Sequence, residues 1–162
     1  MTNALSVRRA TPADAAPLLS LIRALADYEK LDPPDGAAQQ RLIRDICGDQ
    51  PRLDAFLAEI DGAPIGYALV FETYSSFLAL PTLYLEDLFV LPAFRGRKAG
   101  SALFRLVIAE ARRRGCGRMQ WAALTWNKLA HDFYRRYGAS PLEEWQTWRL
   151  TREQMDRISP SG

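Results

Sequence analysis

The sequence predicts an α/β fold, one mixed layer of strands and helices rather than a strict βαβ repeat. Two observations predict it. The hydrophobic periodicity changes along the 162 residues in the order strand, two helices, three strands, helix, strand, helix, strand and short helix. Near the middle, the stretch from Tyr84 to Arg114 takes an apolar strand through a small-residue loop directly onto a long helix. The length fits a single domain spanning 1–162, large enough to bury a core.

The elements follow in order. Leu5 to Arg9 reads as a short strand. Thr11 is an N-cap, Pro12 takes the first helical position and Asp14 lies in the first turn. That helix carries Leu18, Leu19, Ile22, Leu25 and Ala26 on one face and ends near Glu29. Asp32 to Gly36 is a loop by its turn chemistry. Gln39 to Cys47 is a second helix with Leu42, Ile43 and Ile46 inward and Gly48 just past its end. Asp54 to Ile60 and Ile65 to Thr73 are strands joined by a hairpin at Asp61-Gly62, and Pro64 suggests a loop longer than two residues. Ser75 to Thr82 is a polar and aromatic connection.

Tyr84 to Val90 is the next strand, ended by Pro92. Gly96, Ala99 and Gly100 supply the small residues of the loop, and Leu103, Leu106, Val107 and Ala111 repeat at helical spacing to Arg114. Gly115 and Gly117 close that helix, and Arg118 to Leu124 is a further strand. Lys128 to Tyr137 is a helix capped by Gly138, Trp145 to Leu150 a last strand, and Thr151 with Gln154 a capping box for a terminal helix. Residues 159–162 are expected to fray.

The central loop is the place where chemistry concentrates. A helix N-terminus offers unpaired N–H groups and a positive dipole end, a seat for phosphate or pyrophosphate. Arg95, Arg97 and Lys98 add positive charge there. A solvated basic turn would read the same way. A P-loop is excluded because Gly100 is followed by Ser101 and Ala102, not by a lysine and a hydroxyl residue. A dinucleotide fingerprint is excluded because its Gly-x-Gly-x-x-Gly spacing is missing.

Composition narrows the partners. A net charge of +2 is too small to imply a nucleic-acid partner. Cys47 and Cys116 form no paired motif, which fits a reducing compartment. With His131 as the single histidine and no Cys/His cluster, no metal is expected. No signal-like or membrane-length apolar run occurs, so the expected location is cytoplasmic.

Arg95-Gly96-Arg97-Lys98-Ala99-Gly100 resembles the acyl-CoA loop of the GCN5-related N-acetyltransferases, the GNAT superfamily. Arg95 and Gly100 match the ends of that family's pattern, and Lys98 stands where an inner glycine usually sits. The resemblance extends to Arg8 to Thr11, Ala26-Asp27-Tyr28-Glu29, Tyr84-Leu85-Glu86-Asp87, Trp126-Asn127, Phe133-Tyr134, Gly138-Ala139 and Trp148-Arg149-Leu150. Together these are similar to the spermidine/spermine (diamine) and thialysine acetyltransferase branch. The resemblance implies a mixed, mostly antiparallel sheet with splayed central strands flanked by helices. It implies transfer of an acetyl group from acetyl-CoA directly to a primary amine of a diamine, polyamine or thialysine-like amino acid, usually by a homodimer.

Such a transfer poses two proton problems. An alkyl ammonium has a pKa of about 10.4, so presenting it neutral near pH 7.4 costs roughly 4 kcal/mol unaided. The leaving thiolate, with a solution pKa of about 8.5, gains from a nearby hydroxyl donor. The resemblance assigns the donor to Tyr134 and the amine to Glu86, directly or through a water. From residue type alone Tyr134 reads as a core aromatic beside Phe133, the resemblance favours the acid role, and Tyr137 reads as packing. Strand alternation puts Tyr84, Glu86 and Leu88 on one face and Leu85, Asp87 and Phe89 on the other, with Asp87 structural.

The backbone of Leu88, Phe89 and Val90 would pair with the pantetheine arm as an added strand. Arg95, Gly96, Arg97, Lys98, Ala99, Gly100 and Ser101 would take the pyrophosphate, and Asn127, Lys128 and Ala130 form the second CoA contact by resemblance. Tyr28 and Glu29 resemble the acceptor mouth, and Gln120, Trp121 and Ala122 would wall it. His131 is read as a surface residue. Ser75 and Gln146 replace acids that polyamine enzymes carry, which favours a shorter acceptor. The competing readings are acetylation of a protein lysine or N-terminal amine, a non-catalytic CoA sensor, and nucleic-acid binding through Arg112-Arg113-Arg114. That last run sits at a helix C-terminus, where the dipole favours cations anyway.

Overall fold

The computed structural model describes residues 4–158. They form two compact units, divided between Ala122 and Ala123. The first unit is a five-stranded sheet in the order β1 to β5, with β1 Leu5–Arg9, β2 Asp54–Ile60, β3 Ala63–Ser75, β4 Leu80–Val90 and β5 Arg118–Gln120. Neighbours are antiparallel except the parallel pair β4 and β5. Its helices are α1 Ala15–Glu29, α2 Gly36–Cys47 and α3 Ala99–Arg113.

The sheet is covered on two faces. On one, Leu18, Leu21 and Ile22 of α1 and Ile46 of α2 pack on Ala55, Leu57, Tyr67, Leu69 and Phe89. On the other, α3 buries Leu103, Phe104, Val107 and Ala111. Leu57, Tyr67, Leu83, Leu103 and Val107 are wholly buried, which is where most of the apolar stabilisation lies.

The start of α1 is tied down by charge. Pro12–Asp14 form a 3₁₀ turn ahead of the helix. The Asp14 carboxylate accepts from the Thr11 N–H at 2.7 Å and hydroxyl at 2.9 Å. Arg8 donates to Asp14 at 2.8 Å and to Glu59 at 2.6 Å. These bonds, Arg8 first, hold the Asp14 carboxyl well below the usual carboxylate range. One guanidinium thus joins β1, the turn into α1, and β2.

Several boundaries differ from expectation. Helix α2 begins at Gly36, not Gln39, because the Asp35 carboxylate caps it by accepting from the Ala38 N–H at 2.8 Å. The β2–β3 turn has two residues, not more: Asp61 and Gly62 both take positive φ, at 51° and 79°, and Ile60 pairs with Ala63. The difficulty posed by Pro64, which has no N–H for the ladder, is met by a register shift between Ala58 and Glu59. The expected Ser75–Thr82 connection shrinks to residues 76–79, because Thr73, Tyr74 and Ser75 pair with Thr82, Pro81 and Leu80. Strand β5 stops at Gln120, not Leu124. Trp121 then leaves the ladder and packs edge-on against Phe104 at 5.6 Å.

The second unit holds α4 Lys128–Arg135 and α5 Arg152–Asp156. The Thr151 and Gln154 capping box is present. Gly138 is left-handed at φ 83°, and α4 ends at Arg135, two residues short of Tyr137. The expected strand at Trp145–Leu150 does not form. The stretch has no ladder partner among the described residues, and Trp145 and Trp148 are 77% and 87% exposed. Apolar residues of strand-forming type make a strand only where a neighbour accepts their backbone. The expected fraying at 159–162 lies outside the described residues.

Candidate active site

Strand β4 positions the chemistry. Leu69 pairs with Asp87 and Val70 with Leu85, so Glu86 is an extra residue in the strand. A bulge of this kind shifts the parity of everything after it and re-aims a side chain. The expected shared face for Leu85 and Asp87 is therefore corrected. Leu85 follows Val70, while Asp87 and Phe89 follow Leu69 and Tyr67 onto the α1 face. Glu86 is exposed and, among the described residues, makes no ion pair.

Beyond Tyr84, β4 has, among the described residues, a strand partner on one side only. Its pairing with β5 covers Thr82, Leu83 and Tyr84, opposite Arg118, Met119 and Gln120. Leu88, Phe89 and Val90 therefore border an open edge, the kind of edge that an extended ligand can join. Gly66, which the sequence reading passed over, stands opposite Val90. A Cβ there would fall 2.7 Å from the Phe89 carbonyl oxygen, so only glycine lets β3 approach this part of β4. An isolated glycine inside a strand was the available signal.

The loop that follows turns sharply. Gly96 takes φ 79° and Lys98 φ 67°. Lys98 is the N-cap of α3 and supplies no side-chain hydrogen bond to it. The usual family glycine at this position is explained by the left-handed backbone that Lys98 adopts here. Ala99 is buried, and Gly100 and Ser101 open the helix. Arg97 lies over the Phe94 ring at 5.5 Å. An extended thioester carrier with a pyrophosphate fits these features: an open strand edge, a glycine-bent loop, and a helix start without a side-chain cap.

Arg95 does not extend freely from this loop. Its Nε donates to the Val90 carbonyl at 3.2 Å, and its guanidinium sits 4.7 Å over the Tyr28 ring and 5.8 Å from the Phe89 centroid.

Carboxylates gather around β4 and the end of α1. Tyr67 donates its hydroxyl to Asp87 at 3.0 Å. Burial pushes the Asp87 carboxyl up to about 6, and the charges of Glu86 and Glu29 add to that rise. Burial also raises Glu29, the last residue of α1. The Tyr67 phenol is pushed up by burial and then by Asp87, Glu29 and Glu86. So Glu29, Glu86 and Asp87 share one electrostatic neighbourhood in the first unit. The Tyr67–Asp87 pair is not legible in the sequence; a tyrosine within the apolar run from Ile65 to Phe71, needing a hydroxyl partner, is its sign. Gln120 pairs opposite Tyr84, Trp121 is half-buried and Ala122 is exposed.

The remaining candidates belong to the second unit. Asn127 caps α4, accepting from the Ala130 N–H at 3.2 Å, and Lys128 pairs with Asp132. Tyr134 is half-buried, edge-on to Phe133 at 5.3 Å, while Tyr137 lies tilted against the same ring at 5.3 Å. His131 is half-buried rather than a plain surface residue, with Nε2 2.9 Å from the Leu124 carbonyl. Gln146 is exposed. Ser75, by contrast, is buried in the first unit, its hydroxyl accepting from the Leu78 N–H at 3.2 Å.

The basic run is largely neutralised internally. Arg113 pairs with Glu110 at 2.6 Å, and Arg114 with Asp54 at 2.5 Å and Glu110 at 2.7 Å. The Arg113 hydrogen bond, followed by Arg114, brings the Glu110 carboxyl down to about 2. Among the described residues, no helix is long and apolar enough to cross a membrane.

A mixed sheet whose β4 runs through a bent loop onto a helix start is the α/β fold shared with solved acetyltransferases. Residues 19–139 match the Acetyltransferase (GNAT) family, and the chain belongs to it. The matched span crosses the division between the two units. The chain is 36% identical over 154 residues to the thialysine N-epsilon-acetyltransferase of Bos taurus, covering 90% of each. It is 34% identical over 116 residues to the L-ornithine N5-acetyltransferase NATA1 of Arabidopsis thaliana, covering 70% of this chain and 51% of that one. Its fold matches the aminoglycoside N-acetyltransferase AAC(6')-Iy in complex with a CoA bisubstrate analogue, with a TM-score of 0.74 at 22% identity and coverage of 91% and 99%. GNAT enzymes use acetyl-CoA, and this chain is an acetyltransferase.

Proposed function

We propose that the chain acetylates the terminal primary amine of a small acceptor, with the two units acting together as one domain. The observation that carries this is the carboxylate neighbourhood: an exposed Glu86, with no ion pair among the described residues, on a bulge beside Asp87, with Glu29 in electrostatic reach. A cationic amine is drawn to such a group. The names of the bovine and plant relatives both put the acetyl group on the distal nitrogen of an amino acid, which supports an acceptor of that kind here.

Bound acetyl-CoA supplies a reactive thioester. The edge at Leu88–Val90 and the N–H groups from Gly96 to Ser101 are the groups that would hold it, with Asn127, Lys128 and Ala130 as the second contact. Glu86 takes the proton of the acceptor ammonium, and the Tyr134 hydroxyl gives one to the departing sulfur. By resemblance, Gln146 stands where polyamine enzymes carry an acid, so a short diamine or thialysine-like amino acid is the preferred substrate. A homodimer and a cytoplasmic setting complete the reading; free Cys47 and Cys116 are consistent with a reducing compartment.

The test is acetyl-CoA consumption with thialysine, ornithine, a short diamine, spermine and a lysine-containing peptide. Turnover should be highest with the free short amines. Preference for the peptide would move the assignment to protein acetylation, and no turnover with any amine would leave a CoA sensor.

A further inference from the structure

Arg95 heads the cofactor loop, yet its side chain reaches α1. It is held at two points: the Val90 carbonyl at 3.2 Å and the Tyr28 ring at 4.7 Å. Tyr28 lies 6.2 Å from Phe89, Phe89 lies 6.4 Å from Tyr67, and Tyr67 bonds Asp87. A continuous set of packed rings therefore runs from the loop to the carboxylates. We propose that Arg95 is a positioning residue that couples cofactor binding to acceptor binding through Tyr28. This rests on the reading of Tyr28 as part of the acceptor mouth.

The physical argument is one of shared ordering. A planar guanidinium stacked on a ring and bonded through Nε fixes three elements at once: the loop, the end of β4, and the last turn of α1. A cofactor that orders the loop holds Arg95 in place and so holds Tyr28. An acceptor that orders Tyr28 stabilises the same loop. By linkage, each ligand then tightens the other by the same factor. A lysine keeps the charge but has neither the plane nor the Nε donor, so charge alone does not serve.

The experiment measures CoA affinity by calorimetry on the full chain, with and without saturating thialysine. Circular dichroism checks the fold of each variant. Wild type should show mutual tightening of about fivefold or more. Tyr28→Leu and Arg95→Lys should each bring that ratio close to one, and Tyr28→Phe, which keeps the ring, should preserve it. No tightening in wild type, or an unchanged ratio in Tyr28→Leu, overturns the proposal. So does an Arg95→Lys variant that weakens CoA equally with and without acceptor, since that marks a plain phosphate contact. Acetyl transfer in parallel assays separates the two claims. Turnover with an unchanged ratio removes only the coupling, whereas no turnover with any amine removes the functional reading and the coupling with it.

Discussion

The Tyr67 hydroxyl donates to the Asp87 carboxylate at 3.0 Å, across the pair of strands that carries Glu86. Asp87 is raised to about 6 by burial, with the charges of Glu86 and Glu29 acting in the same direction. A carboxyl raised on folding favours the protonated native state. Its contribution is full at low pH and is lost as pH rises through about 6. Unfolding in urea as a function of pH should therefore show the stability gap between wild type and Asp87→Asn change between about pH 4 and pH 6, by roughly 3 kcal/mol at most. A gap independent of pH across that range would refute the assignment.

Lys98 is held at φ 67° as the N-cap of α3. Lys98→Gly removes the Cβ penalty of that conformation, worth about 1 kcal/mol against the extra freedom glycine brings to the unfolded chain. The melting temperature should hold or rise, and the acetyl-CoA KM should change little. Gly100→Leu, by contrast, should raise that KM, because a side chain at the helix start blocks close approach of a pyrophosphate. Fitting KM for both variants checks this pair.

Gly66→Ala puts a Cβ 2.7 Å from the Phe89 carbonyl oxygen. The strands must part, at a cost of about 1–3 kcal/mol. The disturbance lies on the β3 side of β4 and reaches the edge assigned to the pantetheine arm through the displaced backbone of Phe89 and Val90. Both the unfolding midpoint and the acetyl-CoA KM should therefore worsen, whereas a purely local packing defect would change only the midpoint.

Tyr134→Phe should lower kcat by about 10²–10⁴-fold with the fold intact, the typical worth of general acid catalysis. Tyr137→Phe should stay near wild type. Glu86→Gln should lower kcat/KM for every amine. Steady-state rates at saturating acetyl-CoA, with chemistry rate-limiting, decide each case.

Spermine should lose to a short diamine in direct competition. Gln146→Glu should shift the preference towards spermine by about 1–3 kcal/mol, the strength of hydrogen bonds to charged groups. Position 75 is a poor place for the same change, because Ser75 is buried and its hydroxyl accepts from the Leu78 N–H. A wild-type preference for spermine in the competition would refute the charge argument.

The strand–loop–helix unit was legible because each part has a local cause: β-branched and aromatic residues, small loop residues, then helical periodicity. The Glu86 bulge was not legible. Alternation read from β4 alone gives no sign that Leu69 and Val70 across the sheet leave a residue over. Arg95 was read by its charge and its place in a motif; that its guanidinium covers Tyr28, far away in sequence, is a tertiary fact. The two-residue β2–β3 turn is not legible because Pro64 has the chemistry of a turn residue, whereas the sheet absorbs it by shifting register. Trp145–Leu150 has the composition of a strand but no ladder partner among the described residues, which composition cannot report.

The Arg8 clamp has a consequence for the order of synthesis. Its Asp14 half closes within six positions of sequence, but its Glu59 half spans fifty-one. On the ribosome, β1 emerges long before the strand it must pair with. The β2–β3 hairpin, with its two-residue turn, can form as soon as its own residues are free, and it then presents Glu59 to an arginine already oriented by Asp14. The first strand of the chain thus waits for residues some fifty positions further on before it is fastened, and until Glu59 emerges its edge is open to other nascent chains.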